Sequence, residues 1–171
     1  MKSKIDQNEI HITQANEKNA ELISEWLSDI DTNLFLSSNL RNNNIELPLI
    51  KVTLKRIDQS WNILNYDNIP VGLIVLDNYD KIDGLANLWY LIGDKKFRSK
   101  SIMSTGIKIF INNIPLKLDV VTAWTGSNNF ASMKCLEKAG FNKIGKIRKA
   151  FKVNGVHDRV LYEKLLTENV E

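Results

Sequence analysis

A chain of 171 residues with 43% hydrophobic and 25% charged residues has the balance of a globular protein with one substantial core, not of a disordered chain. Its net charge of +3 suits an anionic small-molecule ligand but is too weak and too evenly spread for nucleic acid. The one cysteine, Cys135, excludes an internal disulfide and a cysteine-rich metal site, and points to a reducing compartment, hence the cytoplasm.

Residues 1–9 are polar and lack the apolar stretch of a signal peptide. No run of about eighteen apolar residues occurs, so no membrane span is expected. No repeat or Pro/Gly-rich linker divides the sequence, and a single domain over residues 1–171 is expected. Ile10 to Thr13 form a short strand candidate. Asn16 then caps a helix through Ala20, Leu22, Ile23, Trp26, Leu27 and Ile30, with Asn19 as the alternative cap. Leu34 to Leu40 form a short helical piece closed by an Asn42-Asn43-Asn44 turn. Pro48 opens a third helix through Leu49, Val52, Leu54 and Ile57.

Strand character begins at Trp61. Trp61–Tyr66 and Val71–Leu76 flank an Asp67-Asn68 hairpin turn, and Leu85–Ile92 follows a second polar turn, Asn78 to Gly84. Ser101 to Ile111 is helical, with Ile102, Thr105, Ile109 and Ile111 as the expected buried positions. Val120–Trp124 is a buried strand. Asn129 to Ala139 is a helix ended by Gly140. Two strands, Phe141–Ile147 and Val156–Leu165, close the chain around Asn154-Gly155. A strand–helix–strand unit set among hairpins predicts an α/β (α+β) layer structure. Its central mixed, mostly antiparallel sheet has about seven strands flanked by helices.

Two segments carry a resemblance. Asn129-Phe130-Ala131-Ser132, followed by Leu136-Glu137-Lys138-Ala139-Gly140-Phe141, resembles the Asn-x-Ala-Ser and Glu-Lys-x-Gly-Phe signature of the GNAT superfamily of N-acetyltransferases. Phe97 to Met103 stands at the strand-to-helix junction where that family has its pyrophosphate loop, Arg/Gln-x-x-Gly-x-Gly/Ala. The order of elements also matches along nearly the whole chain. Gly155, Asp158 and Tyr162 look like the last strand of the subgroup containing ribosomal-protein N-terminal (Rim-like) acetyltransferases.

The resemblance implies transfer of an acetyl or other acyl group from acetyl-CoA to a primary amine, by direct attack on the thioester and without a metal. The acceptor is a small-molecule amine or a protein N-terminus; neither nucleic acid nor membrane is implied as a partner, and the protein is a monomer or homodimer. Leu91, Ile92 and Gly93 would meet the pantetheine arm through main-chain hydrogen bonds. Arg98, Ser99, Lys100, Ser101, Ile102 and Met103 would hold the pyrophosphate at a helix N-terminus.

Ser99, Ser101 and Met103 replace residues that are glycine, or glycine and alanine, in the family pattern. Serine suits helical dihedrals, so a cost arises only where positive φ or close approach is required. Asn129 reads either as a cofactor contact or as a helix cap. The family's frequent general-acid tyrosine is replaced by Leu136, which leaves Ser132 as the expected proton donor to the thiolate, with Cys135 as the alternative.

Asn87 stands near the position of the family's frequent base, so no base is evident, and His157 beside Asp158 reads as a solvated turn pair. Trp89, Tyr90 and Trp124 read as core, with the lining of an acceptor pocket as the alternative, and Lys143 to Lys152 as a charged strand face blunting an edge. The altered loop and missing tyrosine also fit a second reading, a GNAT-like module that binds CoA or a protein partner with little catalysis.

Overall fold

The computed structural model describes residues 6–41 and 45–166. Seven strands form one sheet in the order β1-β2-β3-β4-β5-β7-β6. They are β1 Ile10–Gln14, β2 Ser60–Tyr66, β3 Ile69–Asp80, β4 Leu85–Ile92, β5 Val120–Gly126, β6 Asn142–Lys152 and β7 Val156–Leu165. All neighbouring pairs are antiparallel except β4 and β5. The mixed sheet and its helical flanks are those expected from the sequence. Asp67 and Asn68 both take positive φ, 50° and 59°, the two left-handed positions that a tight hairpin turn demands.

The first helices depart from expectation in detail. Asn16 does cap a helical segment, but a 3₁₀ turn, Glu17–Asn19, in a capping box with Asn19. α1, Ala20–Ser28, starts only after it. The expected piece from Leu34 to Leu40 is replaced by two short helices, α2 Ile30–Asn33 and α3 Ser38–Arg41. The Asp29 carboxylate caps α2 by accepting the Thr32 N–H at 2.9 Å, which starts helix earlier than the apolar pattern suggests. The Asn42-Asn43-Asn44 turn lies outside the described residues. Pro48 sits in the first turn of α4, Leu47–Thr53, where Ile50 is the buried residue. Leu49, Val52 and Ile57 are exposed instead.

α5, Ile102–Asn112, and α6, Phe130–Lys138, pack on one face of the sheet. The buried stripe of α5 runs through Met103, Gly106, Ile107, Phe110 and Ile111. That spacing keeps one face inward, so Thr105 and Ile109, expected inside, are only half-buried. α1 and α4 cover the opposite face over Leu73, Val75 and Leu91. Alternation along β4 therefore sends Ala86, Leu88 and Tyr90 toward α5 and α6, and Trp89 and Leu91 toward α1 and α4. β6 is an edge strand with mostly exposed side chains, so its lysines lie where they discourage pairing with another chain.

β4 and β5 pair only through Leu85–Leu88 and Val120–Ala123. Beyond that point both strands continue, to Ile92 and Gly126, but no longer together. Gly93, one residue past β4, donates its N–H to the Val71 carbonyl at 2.9 Å and lies under the Trp26 ring of α1. A Cβ there would meet that ring at 2.2 Å. Trp26 is itself core, so it cannot swing aside without opening a void. Gly93→Ala is expected to lower unfolding free energy by about 1–3 kcal/mol, the usual cost of overpacking a core, read from the midpoint of urea unfolding.

Candidate active site

Where β4 and β5 part, a cleft of about 1340 Å³ opens through the sheet. Its walls are the divergent strand ends, whose facing main-chain groups have lost their ladder partners and are free to pair with an extended ligand. Leu91 and Ile92 line it, as do Arg98, Ser99, Lys100, Ser101, Ile102, Met103, Asn129 and Ser132. These residues, separated by more than forty positions in sequence, come together because the helices α5 and α6 both begin beside the splay. Gly93 does not line the cleft; it serves the Trp26 contact.

At one mouth, the first intrahelical bond of α5 runs from the Thr105 N–H to the Ser101 carbonyl, 3.2 Å. The N–H groups of Ile102, Met103 and Ser104 therefore have no acceptor inside the helix. Ser99 and Ser101 take φ of 60° and 61°. Left-handed residues ahead of a right-handed turn curl the backbone into a concave set of amide donors. The serines therefore stand where positive φ is required, and the strain that helical dihedrals would have spared them is present at both.

Cations surround this mouth. Lys134 and Lys138 from α6 join Arg98 and Lys100 in the lining, and Lys138 Nζ donates to Ser101 Oγ at 3.0 Å. Arg98 is also a clamp. Its Nη2 donates to Thr32 Oγ1 at 2.8 Å and to the Ile92 carbonyl at 3.5 Å, while Lys95 bridges Asp29 and Asp31. The loop is thus tied to α2. The donor mouth and its cations fit a diphosphate. Among the described residues no cluster of His, Cys, Asp or Glu is arranged to hold a metal ion, and no helix is long and apolar enough to cross a membrane.

At the centre of the splay, Tyr90 reaches from β4 to the first turn of α6. Its hydroxyl lies 2.8 Å from Ser132 Oγ and donates to the Ser132 carbonyl at 3.2 Å. Burial pushes the Tyr90 phenol well above its ordinary range, and the neighbouring Cys135 adds to the shift, so the hydroxyl keeps its proton. Burial also pushes the Cys135 thiol up to about 12, so it is present as thiol, not as a nucleophilic thiolate. Asn129 is the N-cap of α6: its Oδ1 accepts the Ser132 N–H at 3.1 Å, and its Nδ2 remains a donor at the cleft. Leu136 is fully buried in the core.

On the α1/α4 face the cleft is lined by Trp61, Trp89, Asn87 and Asp77. Asp77 faces Asn87 in the β3–β4 register and accepts its Nδ2 at 3.0 Å. Burial pushes the Asp77 carboxyl up, against the hydrogen bonds of Asn87 and Trp89 that favour its charge. Sequence reasoning weighed Tyr90 only as core or pocket lining, and passed over Asp77 and the Lys134/Lys138 pair. Helical spacing alone would have put both lysines on one face, but Tyr90 and Asp77 required the strand register.

The last-strand motif is structural. Tyr162 is buried with its hydroxyl on Glu137 at 3.3 Å. Asp158 binds Lys146 at 2.7 Å and the Lys149 N–H at 3.0 Å, fastening an irregular stretch of β6. His157 lies at the β6–β7 hairpin against the Asn154 carbonyl, 3.2 Å away, and does not line the cleft.

Left-handed φ costs a non-glycine residue about 1–2 kcal/mol, offset in glycine by greater freedom when unfolded. Ser99→Gly is therefore expected to raise unfolding free energy by about 0.5–1 kcal/mol, while Ser99→Ala gives no gain. Urea unfolding of both variants beside the parent checks this.

Comparisons with known proteins agree with this geometry. Residues 9–142 match the family model described as "Acetyltransferase (GNAT) domain". Two Bacillus subtilis (strain 168) proteins are similar. The probable N-acetyltransferase YjcK is 40% identical over 152 residues, covering 76% of this chain and 84% of YjcK. The putative ribosomal N-acetyltransferase YdaF is 32% identical over 110 residues, covering 63% of this chain but only 60% of YdaF. A spermidine N-acetyltransferase from Vibrio cholerae, solved with CoA and spermine, shares the fold at a TM-score of 0.81 and 14% identity, over 93% of this chain and 96% of that one. With a matched family model over most of its length, and a cleft opened by splayed parallel strands beside a helix mouth of free amides, the chain belongs to the GNAT acetyltransferase family.

Proposed function

We propose that this chain, acting as one domain in the cytoplasm, transfers the acetyl group of acetyl-CoA to the primary amine of an acceptor. The observation that carries the reading is the Tyr90–Ser132 hydroxyl pair, 2.8 Å apart, where β4 leaves β5 and within the same cleft as the α5 mouth. The pyrophosphate would rest on the amides of Ile102, Met103 and Ser104, and the pantetheine arm would extend along the freed edge of β4 past Leu91 and Ile92. The amine nitrogen attacks the thioester carbon, the C–N bond forms as the C–S bond breaks, and the electron pair leaves on sulfur.

The chain must supply a proton to that sulfur and remove one from the amine. Ser132 Oγ is the donor, and the protonated Tyr90 hydroxyl beside it replenishes the proton. Two carboxylates line the cleft, Asp31 and Asp77. Asp31 is held by Lys95 at 2.9 Å, which leaves Asp77 as the base, directly or through water. Trp61 and Trp89, packed edge to face at 5.1 Å, form the apolar wall that keeps the amine neutral.

Release of free thiol from acetyl-CoA across a panel of amines tests the reading. Saturable thiol release supports it; CoA binding with no acylation of any amine would favour the binding-module alternative. Ser132→Ala is expected to lower kcat about tenfold or more with little change in acetyl-CoA affinity, and Tyr90→Phe to lower it in the same direction. A base works only as the carboxylate, so activity is present above its pKa and lost as pH falls through it. Because burial raises Asp77, the acid limb of kcat/KM should lie above about 4, the ordinary aspartate value. Asp77→Asn should remove that limb together with most of the rate.

A further inference from the structure

The ladder between β4 and β5 ends at Leu88 and Ala123. The first residue past it is a tryptophan on each strand, Trp89 and Trp124. Leu88 and Ala123 pack in the core under α5 and α6, so alternation turns both indoles to the opposite face. That is the α1/α4 side, where Trp89 packs against Trp61. Both tryptophans are half-buried and line the cleft. An amine that enters from this side to reach Ser132 therefore passes two indoles at the root of the splay.

The wall beyond them is apolar. Phe35, Leu40, Ile45 and Leu49, from the stretch spanning α2 to α4, line it. Leu49 is 56% exposed, so the apolar lining continues out to the surface. The polar groups bonded to the rings are already engaged. Gln59 accepts the Trp61 indole N–H at 2.9 Å. Asp77, hydrogen-bonded by Trp89, also accepts from Asn78 and Asn87 at 3.2 and 3.0 Å.

Charge is sorted between the two halves of the cleft. The lining cations, Arg98, Lys100, Lys134 and Lys138, all belong to the α5 mouth. Among the described residues, the lining drawn from positions 31–78 holds the carboxylates Asp31 and Asp77 and no cation. Asp31 is held by Lys95, which leaves one carboxylate beside a set of rings. An anionic group on the acceptor would lie there with nothing to neutralise it. A second ammonium would give up its water with no second free carboxylate to meet it, and attraction to an indole face offsets only part of that loss. An aromatic body gains by leaving water and packs on the rings.

We propose that the acceptor is a small primary monoamine carried on an apolar aromatic body, and that Trp89 and Trp124 receive that body while the amine faces Ser132. This inference rests on the acyl-transfer reading and deepens it by naming the substrate class.

The test measures thiol release from acetyl-CoA. 2-Phenylethylamine and tryptamine are set against ethanolamine, an amine of similar basicity without the ring. Phenylalanine supplies the same ring with a carboxylate, spermidine the polycation, and a short peptide with a free N-terminus the protein-like acceptor. At least one aromatic amine should have a kcat/KM about tenfold or more above ethanolamine, and above the other three acceptors as well. Trp124→Leu should remove most of the advantage over ethanolamine. Leu49→Gln, at an exposed position, should lower it about threefold or more, and covers the case in which the Trp124 variant does not fold. Neither variant should change CoA affinity. Equal rates for the aromatic amines and ethanolamine, a preference for phenylalanine, spermidine or the peptide, or an advantage unchanged in both variants would overturn the inference alone. CoA binding without acylation of any acceptor would overturn the acyl-transfer reading and this inference with it.

Discussion

The whole site follows from one broken ladder. Among the described residues β4 and β5 are the only parallel neighbours in the sheet, and they hold together for four residues each before diverging. A sheet that stayed closed would spend on β5 those main-chain groups between Trp89 and Ile92 that point away from β3, and leave no slot. Because it opens, those groups face a cleft, and two helix N-termini approach the same gap. Tyr90 bridges it: its hydroxyl on Ser132 props α6 against β4 and fixes how far the walls stand apart. In the proposed reaction Tyr90 thus has a structural task and a chemical one, and the two share a single pair of atoms.

The gap divides into regions of distinct electrostatics. At the α5 mouth, free amides, Arg98 and the α6 lysines make a positive concavity. At the centre, burial keeps Tyr90 and Cys135 protonated, so the middle of the cleft is poor in fixed charge. On the α1/α4 face, Asp77 lies among Trp61, Trp89 and Asn87. A thioester needs protection from water and a proton for its leaving sulfur, whereas a diphosphate needs donors. In the proposed complex the splay would separate the two demands along the length of one ligand.

The loop at the α5 mouth shows how a function-bearing backbone is retained with unfavourable residues. Ser99 and Ser101 hold the left-handed dihedrals that glycine would hold more readily. Their neighbours fix the shape from outside: Arg98 is pinned to Thr32, Lys138 to Ser101, and the Ser104 hydroxyl returns to the Ser101 carbonyl at 3.0 Å. The loop is therefore determined by its contacts more than by its own conformational preference.

The sequence by itself determined the sheet, most of the strand boundaries, the crossover helix and the family. Apolar alternation, turn residues such as Asp67-Asn68 and the spacing from Asn129 to Phe141 are local properties, and each residue there carries its own conformational preference. For the same reason it brought forward two contiguous segments, expected to hold a cofactor, that line the cleft. Only the tertiary structure decided the rest. Tyr90 read as core because a strand residue shows its face, not what waits opposite it; Ser132 is forty-two positions away. Asp77 gains meaning from its register with Asn87. Whether Ser99 and Ser101 were strained depended on φ, which the surrounding clamps impose and composition does not encode. Proton donors, bases and selectivity arise from long-range juxtaposition and desolvation, and both exist only once the chain has closed on itself.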